Sequence, residues 1–340
     1  MRMTLLALLA AAALAIAVAV RPAAAQAPCE VDDVARVVAV GDVHGAYDAY
    51  VEILRTAGIV DRRGKWAGGA AHFVQLGDVL DRGARSRKVL DLLRRLEREA
   101  ASAGGRVHLL LGNHEAMRML GDMRYVSAGE YDEFTTADSV DVRRQVIDAY
   151  PEAQRAALLK ETPLGMVEMI RAFGPRGEYG AWLRDRHAVV RINGVVFLHG
   201  GISPAVAPMP CAEINATIRR ELTEDLAKTR ETPAESLASR PDGPLWYRGL
   251  AHEPETFAPQ LEAILEAQDA HAIVVGHTVS PTGRIQARFA GKVFTIDTGL
   301  NADYVKNGRA SALELQDAVF TAIYPDGREV LIGARTPEDR

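Results

Sequence analysis

Apolar, β-branched runs recur along this chain, and five of them lead into glycine-flanked residues that can bind a metal ion. Short apolar runs of this kind predict buried strands. The segments that follow the five runs are GDVHG (41–45), GDVLDRG (77–83), GNHE (112–115), HGG (199–201) and GHT (276–278).

The stretches between these strands have the composition and period of helices. Residues 84–103 place leucines at helical spacing among arginine and glutamate, which predicts an amphipathic helix ending at Gly104-Gly105. Residues 46–57 predict another helix, and residues 65–67 a short extra strand. Further helices are predicted over 140–150, 151–160, 164–173, 212–228 and 258–267.

The rest of the chain returns to strands. Asn193-Gly194 predicts a hairpin between strands 188–192 and 195–198. The later strands are predicted over 284–289, 292–296, 312–315, 320–324 and 329–332. We therefore expect an α/β protein in which two sheets form a β-sandwich flanked by helices. It is expected to be one catalytic domain over residues 30–335, with a helical insertion at about 116–187.

The polar residues at the strand ends are candidate metal ligands. In open α/β sheets, ligands bind beyond the carboxyl ends of the strands. If the five strands lie side by side, their polar residues meet at one rim and can hold two metal ions. One Gly-Asp after a strand is more often a turn, but five such ends with complementary ligands favour a site. The candidate ligands are Asp42, His44, Asp78, Asn113, His199 and His277.

This ligand set indicates hydrolysis of a phosphate ester. Carboxylate, imidazole and amide groups suit manganese, iron or zinc better than calcium or magnesium. Two divalent ions that share one water lower its pKa enough to give hydroxide near neutral pH. Asp78 lies between two ligand sets in chain order, so a bridging position is reasonable.

Two arginines are candidates for binding the phosphate oxygens. Arg82 follows Asp78 closely, and Arg248 lies in another loop. The planar guanidinium matches phosphate oxygens in a bidentate manner. For Arg248, the alternative is a surface salt bridge of small energetic effect.

His114 is a candidate general acid, because it directly follows Asn113 and can reach over the site. It could protonate the leaving oxygen, with Asp81 holding its other ring nitrogen. The alternative is that His114 is a further metal ligand.

The N-terminus has the layout of a secretory signal peptide over residues 1–25. Arg2 precedes an apolar run, and Ala23-Ala24-Ala25 offers small residues for cleavage. Cleavage predicts a periplasmic or secreted protein. An uncleaved membrane anchor is the alternative, because the apolar run approaches bilayer-spanning length.

Net charge and cysteine content limit the expected binding partners and indicate a possible disulfide. The net charge of −5 gives no basic surface, so no nucleic acid is expected as a partner. Membrane contact is expected only if the signal segment stays uncleaved. Cys29 and Cys211 are the two cysteines, and an oxidising compartment would permit a disulfide between them. The alternative is that Cys29 is disordered near the terminus and both thiols stay free.

The motifs GDVHG, GDVLDRG, GNHE, LHGGISP and VGHT resemble the phosphoprotein phosphatase family of calcineurin-like metallophosphoesterases. The resemblance implies that Asp78 bridges two ions, that Asn113 also contacts substrate, and that phosphorylated protein or peptide is the substrate. It implies Asp42 and His44 on one ion, and Asn113, His199 and His277 on the other. It also implies His114 as the acid paired with Asp81, and Arg82 with a second arginine on the phosphate.

The chain departs from the family's eukaryotic enzymes at two segments. LWYR (245–248) and IDTG (296–299) stand where those enzymes have Trp-Ser-Asp-Pro and Ser-Ala-Pro-Asn-Tyr segments. In this the chain resembles the Shewanella-like phosphatase branch, which implies phosphoserine, phosphothreonine or phosphotyrosine as substrate.

Two other functions remain as alternatives. One is a dinucleoside polyphosphate hydrolase or general phosphodiesterase. Such relatives usually have Asp in place of Glu115 and lack the equivalent of Asp81, so both residues favour a phosphomonoesterase that acts on protein. A binding protein without catalysis would be expected to have lost a ligand or Arg82, and all are present.

Overall fold

The computed structural model describes residues 28–333 and shows two six-stranded sheets. The predicted signal segment lies outside the described residues. The strands are β1 (Glu30–Val31), β2 (Arg36–Val40), β3 (His72–Gln75), β4 (Arg106–Leu109), β5 (Val189–Ile192), β6 (Val195–Leu198), β7 (Ala272–Val275), β8 (Gln286–Arg288), β9 (Val293–Thr295), β10 (Ala312–Gln316), β11 (Val319–Tyr324) and β12 (Gly327–Ile332).

Helices connect the strands on the outer faces of the sheets. They are α1 (Tyr47–Thr56), α2 (Ser86–Ser102), α3 (Asn113–Leu120), α4 (Ala128–Asp132), α5 (Ser139–Asp148), α6 (Glu152–Glu161), α7 (Met166–Phe173), α8 (Glu178–Arg184), α9 (Cys211–Glu221), α10 (Leu226–Glu231), α11 (Gly249–His252) and α12 (Ala258–Ala267). Elements α3 to α8 follow one another between β4 and β5, in the stretch whose sequence pattern is helical. Among residues 28–333, no helix is long and apolar enough to cross a membrane.

The core consists of two layers because the central strands are buried on both faces. Along β2, Val37 and Ala39 pack with side chains of the opposite sheet, among them Phe197. Val38 and Val40 point the other way and pack with helix residues. Successive side chains of a strand alternate between its faces, so a strand covered on both sides is apolar throughout. The predicted two-sheet sandwich flanked by helices is confirmed.

The arrangement of the motif strands differs from a single row. The first sheet has the order β12-β11-β10-β2-β3-β4, and the second has β1-β5-β6-β7-β9-β8. Strands β2, β3 and β4 are parallel neighbours in the first sheet, and β6 and β7 are parallel neighbours in the second. The five strands therefore do not lie side by side. Their carboxyl ends still meet, because the two sheets stack and present these ends at one edge.

Two predicted elements were wrong in extent. Residues 65–67 form one isolated bridge between Val60 and Trp66 rather than a strand. The Trp66 backbone N–H donates to a side-chain oxygen, Glu99 Oε2, at 2.8 Å rather than to a neighbouring strand. The helix predicted over 212–228 ends at Glu221, and the hydroxyl of Thr223 donates to the carbonyl oxygen of Arg219 at 2.7 Å.

A disulfide joins Cys29 to Cys211, at the beginning of α9. The predicted bond is therefore confirmed. It acts together with β1, which pairs with β5 in parallel, to hold the start of the described chain on the second sheet. The bond closes a loop with a sequence separation of 182 residues. Restricting so long a loop in the unfolded chain is worth about 5 kcal/mol in the chain-entropy description.

We expect the double substitution Cys29→Ser/Cys211→Ser to lower the unfolding temperature markedly, because the unfolded chain regains this freedom. Thermal unfolding of both proteins, with and without reductant, measures the effect. Reductant should lower the melting temperature of the wild type to that of the variant and leave the variant unchanged. Two reactive thiols in the unreduced, denatured wild-type protein would contradict the bond.

Candidate metal centre and active site

Tight turns at the strand ends place the candidate ligands, and several ligands have strained backbones. His44, Asp78 and His277 have φ angles of 46°, 48° and 63°, in the left-handed region that residues other than glycine rarely adopt. Asp81 and Arg82, with φ angles of 69° and 67°, lie there as well. Such conformations cost energy and cluster at functional sites.

Two glycines are required because the ligand carboxylates approach the backbone closely. A Cβ atom on Gly112 would lie 2.2 Å from Asp78 Oδ1, and one on Gly276 would lie 2.6 Å from Asp42 Oδ1. The backbone N–H of His277 donates to the same Asp42 oxygen at 2.9 Å. The contact between Asp42 and the loop after β7 joins the edges of the two sheets.

The ligand atoms form two sets that share Asp78. The first set comprises His44, Asp78 and His114, and the second comprises Asp78, His199 and His277, with the atoms of each set within 4.8 Å of one another. Asp78 Oδ2 lies 3.7 Å from His44 Nε2 and 3.2 Å from His199 Nε2. Asp42 Oδ2 lies 3.9 Å from His44 Nε2, beside the first set. Asn113 Oδ1 lies 2.9 Å from His199 Nε2, beside the second.

The hydrogen bonds of these histidines fit metal binding. His44 Nδ1 lies 2.8 Å from the carbonyl oxygen of Leu80, and His199 Nδ1 lies 2.9 Å from that of Leu76. Donation to a carbonyl oxygen fixes the tautomer in which Nε2 carries the lone pair. The Nε2 of His199 therefore faces oxygens of Asn113 and Asp78 that also accept. Converging acceptors repel one another unless a cation lies among them.

The buried carboxylates of the site also fit a cation. Burial, together with the carboxylates of Asp297 and Asp78, raises the pKa of Asp42 well above its ordinary value. Burial and Asp78 likewise raise the pKa of Glu115. Burial alone would raise the pKa of Asp78, but the neighbouring imidazoles of His199 and His114 hold it well below the ordinary value. Buried anions so close together require compensating positive charge.

Glu115 stabilises the turn that carries Asp78. Its carboxylate accepts hydrogen bonds from the backbone N–H groups of Gly112 and Asp78, each at 2.8 Å, and from that of Val79 at 2.9 Å. These bonds hold the turn that carries Asp78 against the beginning of α3. From the sequence, Glu115 served only to distinguish this chain from nucleotide hydrolases. A glutamate at the third position of a helix also indicates a capping box, which would have predicted the hydrogen bond to Gly112.

His114 and Asp81 are in contact, as the sequence predicted. His114 Nδ1 lies 2.6 Å from Asp81 Oδ2, and His114 Nε2 lies 3.8 Å from Asp78 Oδ2. Burial favours the neutral imidazole, but Asp78 and Asp81 outweigh it and raise the pKa of His114. A protonated imidazole at this position can donate to a leaving oxygen. His114 also belongs to the first ligand set, so both of its predicted roles are compatible with this geometry.

Arg118, which was not predicted as a site residue, binds the Asp81 carboxylate at the oxygen that does not contact His114. Arg118 is buried, and its Nη2 lies 2.5 Å from Asp81 Oδ1 and 3.0 Å from Glu130 Oε1. Arg118 and His114 overcome the effect of burial and lower the pKa of Asp81. The guanidinium therefore keeps Asp81 charged and fixes the side of the carboxylate that faces His114.

We expect Arg118→Met to destabilise the protein by about 3–5 kcal/mol, because two buried carboxylates lose their cation. Turnover should also fall, because Asp81 is no longer held toward His114. Thermal unfolding and steady-state kinetics measure the two effects. The matched double variant Arg118→Met/Glu130→Gln removes one unpaired charge, so stability should partly return while turnover stays low. Full activity in either variant would show that Arg118 does not position Asp81.

The two candidate phosphate-binding arginines lie on opposite sides of the ligand sets. Arg82 Nη1 lies 2.9 Å from His44 Nε2, beside the first set. Arg248 Nη1 donates to the carbonyl oxygen of His277 at 2.6 Å and to Thr278 Oγ1 at 3.1 Å, beside the second. Arg248 therefore binds the rim of the site rather than an acidic residue elsewhere on the surface.

One further acidic residue at this rim was not predicted. Asp297 is buried, and burial is the main cause that raises its pKa, while a hydrogen bond with the Asp42 carboxyl lowers it. It follows β9, whose parallel neighbour β7 ends at the same edge. The available signal was its position after an apolar run, as for Asp42 and Asp78. The other five histidines, His72, His108, His187, His252 and His271, are outside both ligand sets. His108 Nε2 lies 3.1 Å from His72 Nδ1.

Comparison with known proteins agrees with this geometry. The sequence profile described as "Calcineurin-like phosphoesterase" matches residues 35–281. "Shewanella-like protein phosphatase 2" of Arabidopsis thaliana is 29% identical over 288 residues, covering 78% of this chain and 71% of the plant protein. "Shewanella-like protein phosphatase 1" of Plasmodium berghei is 27% identical over 270 residues, covering 78% of this chain and 67% of that protein.

A solved structure is similar as well. The cold-active protein-tyrosine phosphatase of a psychrophilic Shewanella species superposes with a TM-score of 0.73 at 32% sequence identity. The match covers 90% of this chain and 83% of that protein.

Proposed function

The chain belongs to the calcineurin-like phosphoesterase family, in its Shewanella-like protein phosphatase branch, and from this premise we propose that it hydrolyses phosphomonoesters on serine, threonine or tyrosine side chains of proteins. The observation that carries the proposal is the position of the Asp78 carboxylate between two ligand sets, beside His114 and Arg82. The named relatives and the Shewanella enzyme support a protein substrate.

Divalent ions, when bound, polarise the phosphate and lower the pKa of a water molecule. Residues from both sheets would hold them: Asp42, His44, Asp78, Asn113, His199 and His277. We propose manganese, with iron or zinc as alternatives, because the set combines imidazole with carboxylate and amide oxygens and lacks thiolate. Elemental analysis of protein purified without added metal identifies the ions, and readdition of each ion after chelation ranks their effect on activity.

The other residues act on the ester itself. Arg82 and Arg248 neutralise the phosphate oxygens from two sides, where a guanidinium can bind two oxygens at once. Asn113 can also donate its amide N–H to the phosphate. His114 gives a proton to the leaving oxygen, and its bond to Asp81 keeps Nε2 directed at the site. Arg118 would act only through Asp81, because its own side chain is fully buried.

A substrate comparison tests the proposal. The purified protein is assayed with manganese against a phosphotyrosine peptide, a phosphoserine peptide of the same sequence and diadenosine tetraphosphate. We expect hydrolysis of at least one phosphopeptide and little of the dinucleotide, as Asp81 and Glu115 indicate. Rapid cleavage of the dinucleotide with inert phosphopeptides would replace this function by that of a nucleotide hydrolase.

We also propose that residues 1–25 are a signal peptide and that the mature protein is periplasmic or secreted. The disulfide between Cys29 and Cys211 supports this, because such bonds persist mainly in oxidising compartments. N-terminal sequencing of the protein recovered from its native host should begin near Gln26. A mature protein that retains residues before Arg21 would favour a membrane anchor.

A further inference from the structure

A cleft of about 560 Å³ lies along α2, outside both ligand sets. Cationic residues of α2 outnumber the acidic residues that line it; the cations are Lys88, Arg94, Arg95 and Arg98, and the acids are Asp91 and Glu178. The cleft is therefore positively charged, although the whole chain has a net charge of −5. Cavities for small ligands are of this size but are lined mainly by apolar side chains, so this cleft fits a charged ligand instead.

The charged residues of α2 form a row because of their spacing on the helix. Positions 88, 91, 95 and 98 are three or four residues apart and therefore lie on one face. At a rise of about 1.5 Å per residue, Lys88 and Arg98 are about 15 Å apart along the helix axis. An extended peptide rises about 3.3 Å per residue, so about five of its residues span the row.

Two of the cations are already paired and form walls of the cleft. Arg94 pairs with Glu178 at the beginning of α8. Arg95 Nη1 lies 2.9 Å from Glu99 Oε1, and Arg95 Nη2 donates to the carbonyl oxygen of Gly64 at 2.8 Å. These contacts hold both guanidinium groups in place and reduce the charge that each offers to a ligand.

The other two cations, Lys88 and Arg98, are exposed, and neither forms an ion pair within residues 28–333. Burial raises the pKa of Glu133 against a downward effect of Lys88, but no ion pair joins these two side chains. Arg98 Nη1 donates to the carbonyl oxygen of Arg94 at 2.9 Å. Lys88 and Arg98 are therefore the cations that a carboxylate of a ligand can pair with.

The loops of the metal centre lead directly into the cleft. Tyr47, which lines it, is three residues after His44, and Lys88 is six residues after Arg82. The helices that follow these loops, α1 and α2, border the cleft and lead away from the edge where the strands end. A protein segment that extends from a phosphorylated residue at Arg82 can continue into the cleft along α2.

We propose that this α2 cleft binds an acidic segment of the substrate protein, so that phosphoproteins with several aspartates or glutamates outside the phosphorylation site are preferred. The inference rests on the proposed function and names a second feature of its substrate. A peptide fits better than a nucleic acid, because Asp91 and Glu178 repel a phosphate backbone but can accept backbone N–H groups of an extended peptide. The acidic side chains of the peptide then pair with Lys88 and Arg98.

Binding of an unphosphorylated peptide tests the cleft without catalysis. A fluorescein-labelled peptide with a run of about five glutamates is titrated with the protein and followed by fluorescence anisotropy, and the same peptide with glutamines is the reference. We expect the glutamate peptide to bind more tightly and added salt to remove the difference, because salt screens exposed charges. Equal affinities at low salt would overturn the proposal. Binding of a single-stranded oligonucleotide without binding of the peptide would assign the cleft to nucleic acid instead.

Neutralising the two unpaired cations locates the binding. We expect Lys88→Gln/Arg98→Gln to weaken binding of the glutamate peptide about 2- to 30-fold, the combined effect of two exposed ion pairs. The matched control Lys160→Gln/Lys228→Gln removes the same charge from exposed positions on α6 and α10 and should bind the peptide as the wild type does. Thermal unfolding checks that both variants fold. Equal weakening in the two double variants would show that the peptide does not bind in the cleft.

Kinetics separates this proposal from the proposed function. A phosphopeptide is extended through a glycine-serine linker by the same run of glutamates or of glutamines. We expect a lower KM for the glutamate form with a similar kcat, and Lys88→Gln/Arg98→Gln should lose the difference. Equal KM values in the wild type would overturn the selection of acidic substrates. If neither phosphopeptide is hydrolysed, the proposed function fails, and the anisotropy measurement alone decides whether the cleft binds acidic peptide.

Discussion

Replacing Asp78 by asparagine should abolish most of the activity and lower the metal content from about two ions per chain toward one or none. The carboxylate belongs to both ligand sets, with Oδ2 at 3.7 Å from His44 Nε2 and 3.2 Å from His199 Nε2. A neutral amide removes the anion that the two sets share. Substitutions of outer partners of metal ligands already cost about 10- to 100-fold, so loss of a shared ligand should cost more.

Asparagine is the most suitable replacement because the backbone at Asp78 has a φ angle of 48°, in the left-handed region. Asparagine tolerates the left-handed region better than most residues, so the turn should persist. The measurements are turnover, elemental analysis and thermal unfolding of the same preparation. Two ions per chain with near-normal turnover would exclude Asp78 as a shared ligand.

A matched control distinguishes this effect from a general loss of a buried carboxylate. Glu314 is 8% exposed and pairs with Arg36 and Arg328, away from the ligand sets. Glu314→Gln should reduce stability and leave both metal content and turnover unchanged.

The candidate metal ligands could be predicted from sequence because each lies just after an apolar run. A strand that is buried on both faces is easily recognised, and the residue after it lies at the strand's carboxyl end in any parallel arrangement. Asp42, Asp78 and His277 were found in this way. The inference did not depend on which sheet contains each strand, so the division of the five strands between two sheets did not affect it.

Residues that act through packing could not be found in the same way. Arg118 follows His114 by one helical turn, and nothing in the local pattern indicates that it contacts Asp81, which lies 37 residues away. A single arginine within a helix has no sequence pattern that marks its partner, so the tertiary contact with Asp81 was needed to identify Arg118.

His114→Asn should reduce turnover of a phosphoserine substrate by about 10²- to 10⁴-fold, the usual contribution of general acid catalysis. An alkoxide is a poor leaving group and needs a proton as the P–O bond breaks. The leaving group of an activated aryl phosphate such as p-nitrophenyl phosphate needs little protonation. The decrease in turnover on this substrate should therefore be much smaller. Metal content should stay unchanged, because in this role the imidazole is oriented by Asp81 and protonates the leaving oxygen without binding a metal ion.

The same comparison tests the alternative that His114 is a ligand of the first set. A ligand contributes to both substrates through the metal, so both would lose activity equally and the metal content would fall. His108→Asn is the matched control, because His108 is also buried and contacts another imidazole, that of His72. Asp81→Asn should follow the substrate pattern of His114→Asn, because Asp81 lies 2.6 Å from His114 Nδ1 and orients the ring. If Asp81→Asn lost activity equally on both esters, the acid pair would be excluded even with the metal content intact.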